Sequence, residues 1–260
     1  MKNRVGFLRR ALIQGSFIQM TASVFAFALV ALCMGCGGET PRKLIKRYES
    51  QFAEKREQFK KIAQMLPSPG TVKRATAANL SPKPVYDAKS DTYNTAIVMY
   101  DQLLDPDVQS QDHNRLDLLL SGDLLICMQW TGPKNPMGDN HLDESAGNME
   151  QMLKKALTLQ YLVVLRPITY VAPVAVDESS YKGGAADIEG FIVDMNSNTV
   201  AGSFRFSAHS ASKVEYLAKK SESKESRLEE FAYSSLYTDA RQKLGPLLQQ
   251  TTGGQFVLEK

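Results

Sequence analysis

Cysteine and histidine are scarce in this chain, at three residues each, and tryptophan occurs once. His113, His141 and His209 stand far apart in polar surroundings. None has a second histidine at the helical spacing a zinc hydrolase motif requires. The densest ligand-like group is His141 with Asp139, Asp143 and Glu144. It reads more simply as a polar loop in which Asp143 caps a helix, and no metal or cofactor is expected. A Gly-x-Ser-x-Gly elbow is missing. Ser207, His209 and Ser210 crowd too closely along one strand end to form a triad. Gly183, Gly184 and Gly190 precede a strand and not a helix, so they make neither a phosphate cradle nor a dinucleotide fingerprint. Acid–base catalysis by paired carboxylates leaves no sequence signature and stays open.

Long hydrophobic runs are missing as well. The strictly apolar stretch, residues 24–34, has 11 residues, whereas a membrane-crossing helix needs about 20. Extending it back to Phe17 takes in Gln19, Thr21 and Ser23. An uncleaved transmembrane helix is therefore one reading of this region. The other starts from the flanks. Arg9 and Arg10 precede the apolar run, and Gly35, Cys36, Gly37 and Gly38 follow it. A basic leader, a short apolar segment and a small residue before the cut build a secretory signal peptide.

These residues resemble a bacterial lipoprotein signal peptide, over residues 1–38 and nothing beyond. The resemblance implies cleavage between Gly35 and Cys36, acylation of the Cys36 thiol, and anchoring of the mature chain to a membrane through that lipid. Cys33 stands where the family usually has leucine, and Met34 where alanine or serine is commoner. With Cys36 acylated and Cys33 removed, Cys127 is the remaining thiol and no internal disulfide can form. It lies in the run Leu124, Leu125, Ile126, Cys127, Met128, where cysteine acts as a small buried hydrophobe. Under either reading the bulk of the chain is expected outside the cytoplasm, in the cell envelope.

The formal charge of +3 dissolves under this division. Four of the 31 basic residues, Lys2, Arg4, Arg9 and Arg10, lie in the leader, which has no acidic side chain. The rest of the chain sets 27 basic residues against 28 acidic ones. No nucleic-acid footprint is left.

Past the leader, Thr40 and Pro41 mark a helix start. Leu44, Ile45, Tyr48, Phe52, Phe59, Ile62, Ala63 and Leu66 recur at helical spacing until Pro67. Residues 36–66 thus read as a lipid-anchored, membrane-proximal helix. Arg42, Lys43, Lys46 and Arg47 crowd its first turns, suited to an anionic surface or to plain solvation. The segment 67–92, with Pro67, Pro69, Pro82 and Pro84, reads as a linker or as a loop lying over the domain.

An α+β domain is expected over 93–250. Strands are expected at 93–100 and 123–130, a helix from about Asp143, and a fully buried strand at 161–165. Together 123–166 would form a right-handed crossover. A hairpin follows, with arms 187–195 and 199–208 around Asn196, Ser197 and Asn198. Its second arm alternates Val200, Gly202, Phe204 and Phe206 with Ala201, Ser203, Arg205 and Ser207. A last helix begins near Leu228 and stops at Gly245 and Pro246, and 251–260 reads as a tail. The sum is a mixed sheet of four to five strands packed by two helices, with no internal repeat. It faintly resembles the small α+β domains of periplasmic lipoproteins, a likeness of fold alone.

Two functions are expected from this pattern. One is a non-catalytic envelope domain that binds a protein or glycan partner through the loops near Trp130, Met137, His141 and Tyr181. Trp130 is a candidate anchor, or it simply ends a buried segment. The alternative is a hydrolase or transferase with a polar site at a strand end.

Overall fold

The computed structural model describes residues 40–88, 92–106, 116–118, 120–133, 145–177, 180–212 and 224–258. The leader and its Cys36 lie outside the described residues. In chain order the elements are α1 (Pro41–Met65), β1 (Val85–Asp87), β2 (Thr92–Tyr93), β3 (Thr95–Met99), α2 (Tyr100–Leu104), α3 (Gly122–Trp130) and α4 (Ala146–Leu157). Then come β4 (Tyr161–Val171), β5 (Val174–Ala175), β6 (Tyr181–Lys182), β7 (Ala185–Asp194), β8 (Thr199–His209), α5 (Lys224–Thr252) and β9 (Gln255–Val257).

The fold is α+β around a mixed four-stranded sheet in the order β3-β4-β7-β8. β3 and β4 are parallel, and the other pairs are antiparallel. Successive strand residues face opposite ways, so the central sheet needs cover on both sides. Leu162, Val164, Phe191 and Val193 meet α1, α3 and α4 on one face. Val163, Leu165, Ile192 and Phe204 meet Leu236, Ala240, Leu244 and Leu248 of α5 on the other. A smaller sheet, β2-β1-β9, borders this second face.

Helix α1 starts after Thr40 with Pro41 in its first turn. It ends before Leu66, which is extended at φ −65° and ψ 139° because the following Pro67 disfavours the helical region there. Leu44, Tyr48, Phe52, Phe59 and Ile62 are buried on one stripe, so the helix is built into the core. Residues 67–84 lie over the domain as a loop, and the segment expected as linker or loop then supplies strand β1. Val72, Ala78 and Leu80 are buried in the loop, Thr76 bridges Ser203, and Tyr86 is buried in β1.

Three expectations need correction. The run at 123–130 is helix α3 and not a strand. Five adjacent apolar residues have no period, and burial alone suits either structure. A helix satisfies its own backbone. The free edge of β3 is met instead by the loop before α3, where Ile97 N–H donates to Ser121 Oγ at 2.7 Å. The parallel crossover therefore joins β3 to β4 through α2, α3 and α4. Helix α4 is capped by Ser145, whose side chain accepts from Asn148 N–H, and Asp143 lies outside the described residues. Helix α5 runs through Gly245 and Pro246 to Thr252. Interior proline costs about 3 kcal/mol or more, and the full burial of Leu244 and Leu248 with Thr251 and Thr252 beyond it outweighs that. The expected tail consequently supplies the end of this helix and then β9, which pairs in parallel with β1.

The hairpin follows its expected course. Asp194 Oδ1 accepts from Asn196 N–H at 2.8 Å, and Asn198 takes φ +54°, a region that asparagine tolerates in tight turns. Val200 departs from its expected dry face. The register shift between Ile192 and Val193 bypasses Ala201, and such a bulge turns the next side chain outward. Opposite Gly190, the Phe204 ring lies flat over the glycine, so an added methyl would overlap it. Gly190→Ala should therefore cost about 1–3 kcal/mol, read as a lower urea midpoint at unchanged m-value. Adding Phe204→Leu should recover part of that loss.

Candidate functional site

A cleft of about 340 Å³ opens where the start of α3 meets the small sheet and α5. Its dry wall is Ala96, Leu124 and Leu258 with the rings of Tyr86 and Tyr93. Its polar lining is Asp87 from β1, Ser121 and Asp123 at the head of α3, and Arg241 from α5. This volume falls within the ~300–1,000 Å³ of small-molecule sites, and the mix of apolar wall and a few polar groups is what such sites use.

Three hydrogen bonds hold the rim. Ser121 Oγ is engaged by Ile97 N–H, the Tyr86 hydroxyl donates to Leu120 O, and Arg241 Nη2 donates to Leu118 O at 2.6 Å. The first has a consequence for α3. Its N-cap is Ser121, at φ −116° and ψ 57°, and that side chain makes no capping bond. The first-turn amides of Gly122, Asp123 and Leu124 thus meet the cleft without a side-chain cap, at the positive end of the helix dipole. The Arg241 side chain is only partly satisfied. Its Nε is buried with no partner, and among the described residues Nη1 has no acceptor. Both aromatic residues are constrained. Tyr86 is 6% exposed, and Lys155 Nζ sits 3.7 Å from the Tyr93 ring centroid, a cation–π contact covering one face of that ring.

Chemically the cleft can bind and orient. None of its lining residues is a histidine, cysteine or lysine. Its one aliphatic hydroxyl, Ser121, already accepts a backbone hydrogen bond. Among the described residues no group of three or more His, Cys, Asp or Glu could hold a metal ion.

A shallower groove lies at the end of β8, where His209 and Ser210 meet Ser235, Asp239 and Lys243 of α5. Its polar groups act as struts. Asp239 accepts from His209 N–H at 2.8 Å and from Lys243 Nζ at 2.7 Å. Burial pushes the Asp239 carboxyl up, and these bonds outweigh it and hold it below its ordinary value. Ser210 Oγ accepts from Gly184 N–H, and Ser235 Oγ from Ala211 N–H. The exposed His209 donates its backbone N–H to this carboxylate.

The residues singled out from sequence fall elsewhere. Trp130 ends α3 and is 4% exposed, so it belongs to the core and offers no surface anchor. Tyr181 lies in β6, and its hydroxyl donates to Ala211 O. Neither lines the cleft. Gly35, Cys36, Met137 and His141 lie outside the described residues. Cys127 is fully buried, and burial followed by the nearby Asp123 charge pushes its thiol up to about 12. Asp87, Asp123 and Arg241 were not legible as a set, because they are far apart in sequence and share no motif. The chain matches no protein-family model and no curated protein.

Proposed function

We propose that this chain is an exported, lipid-anchored envelope domain that binds a small ligand non-catalytically in the cleft between α3, β1 and α5. The single observation behind binding is the lining of that cleft. It sets a partly satisfied guanidinium, two carboxylates and a dry wall around about 340 Å³ and supplies no nucleophile with a base beside it. Such a lining suits recognition of a small ligand.

The anchor rests on the sequence around Cys36. Among the described residues no helix is long and apolar enough to cross a membrane. Pro41, the first residue of α1, follows Cys36 by five positions, so an acylated Cys36 would hold α1 and the domain packed on it close to the membrane. Arg42, Lys43, Lys46 and Arg47 would then lie near its surface. Acylation predicts that the protein purified from membranes begins at Cys36 with a diacylglycerol on its thiol, measured by intact mass. Cys36→Ser should leave the precursor uncut and without the diacylglycerol, read by the same intact mass. An intact mass equal to the full 260-residue chain from the wild type would overturn the anchor.

A further inference from the structure

We infer that the ligand of this cleft is a small zwitterion with an apolar side chain, such as a free apolar α-amino acid. The inference rests on the binding reading above and deepens it. Asp123 shares the cavity with Arg241, so the lining presents both signs of charge. A simple monoanion would meet the Asp123 carboxylate. A simple cation would meet Arg241 and the positive end of α3. A ligand carrying separated positive and negative groups satisfies both sides.

Arg241 is set up for the negative group. The Nη2 bond to Leu118 O fixes the guanidinium, and Nη1 keeps its donors for a carboxylate, the partner that a guanidinium fork fits best. Asp123 at the head of α3 faces the same cavity and suits an ammonium. Aliphatic side chains, Ala96, Leu124 and Leu258, then take the ligand's apolar body.

Two observations argue against a sugar. Saccharides rest their C–H faces on open aromatic rings, whereas Tyr86 is 6% exposed and Tyr93 is covered on one face by Lys155. The volume is also at the small end of the range for ligand sites, too little for a glycan chain.

The test uses the full chain in detergent micelles, labelled with ¹⁵N, and follows the amides of Gly122 and Asp123 by NMR. The probes are leucine, leucinamide, N-acetylleucine, hexanoate and glucose. Leucine should shift these amides. Leucinamide and N-acetylleucine, each lacking one charge, should bind at least about tenfold more weakly, the loss expected when a charge-assisted hydrogen bond is removed. Arg241→Gln should erase the preference for leucine over leucinamide. Asp123→Asn should erase the preference over N-acetylleucine, and the probe series on the wild type needs no variant to fold. If glucose or hexanoate shifts the same amides more strongly than leucine, the cleft is a ligand site and the zwitterion is wrong. If no probe moves them at millimolar concentration, both the ligand class and the binding reading fall.

Discussion

Glu189→Ala lowers the free energy of unfolding by about 3–5 kcal/mol, the cost of stranding a buried charge. Glu189 is fully buried, and Arg166 across the β4–β7 pair is 7% exposed. Arg166 Nη2 donates to Glu189 Oε2 at 2.8 Å and to Pro67 O at 2.7 Å. Glu189 Oε1 accepts from Val72 N–H at 2.9 Å. The pair thus clamps the turn after α1 onto the sheet. Its guanidinium lies 5.0 Å from the Phe191 ring centroid and 5.6 Å from that of Tyr100, while Arg166 Nε is already buried without a partner. Removing the carboxylate leaves the cation among aromatic rings with only the Pro67 carbonyl.

The same variant should open the turn locally. Trypsin should cut after Lys73 or Arg74 faster than in the wild type under native conditions. Replacing both members, Arg166→Met with Glu189→Leu, should cost much less than Glu189→Ala, since no charge is then stranded. The sign with pH follows from the carboxyl. Burial pushes Glu189 up, and the bonds from Arg166 and from the Val72 and Gly70 amides outweigh it, holding the group below its ordinary value. Its stabilisation is present above that ordinary value and is lost as pH falls through the lower folded one. Wild type and Glu189→Gln should therefore converge in acid. Unfolding free energies of wild type and Glu189→Ala that differ by under about 1 kcal/mol at neutral pH would sink the clamp.

What the sequence conveyed of this fold depends on whether the signal was local. The α1 stripe was legible because Leu44, Tyr48, Phe52, Phe59 and Ile62 repeat at the helical period between two prolines. The β7–β8 hairpin was legible because alternation flanks an asparagine-rich turn. α3 was not, because Leu124 to Met128 fit a strand or a helix equally. At Pro246 a true local stop signal lost to the burial of Leu248, a tertiary term invisible to any window of sequence. The cleft was least legible of all. It exists because β9 pairs with β1, Val85 opposite Gln255, across almost the whole domain. The apolar patch 256–258 was visible, but its partner lay in a proline-rich segment that reads as loop. Trp130 shows the converse, since composition draws attention to a rare residue and, of its two readings, burial decides for the end of a buried segment.

Lys55→Met should raise stability at pH 7 by about 3 kcal/mol. Lys55 lies within the buried stripe of α1, one turn from Phe52 and from Phe59, and is 8% exposed. Among the described residues its ammonium has no hydrogen-bond or ion-pair partner. Burial therefore acts unopposed and pushes the amine down to about 8, from 10.5 in water. Each unit between folded and unfolded values is about 1.4 kcal/mol, which sets the size of the effect. Here the unfolded chain holds the proton more tightly, so the ammonium destabilises the fold. The whole penalty is present below about pH 8 and fades as pH rises from there toward 10.5. Methionine keeps the unbranched length without the charge. The gap between Lys55→Met and wild type should thus be largest at neutral pH and nearly close by about pH 10.5, in paired urea titrations that cancel every other alkaline group. A gap that is small, or constant across this range, would mean that the amine reaches water along its stem and carries no penalty. A closing gap would place a buried, destabilising charge on α1, the helix that follows Cys36 in sequence.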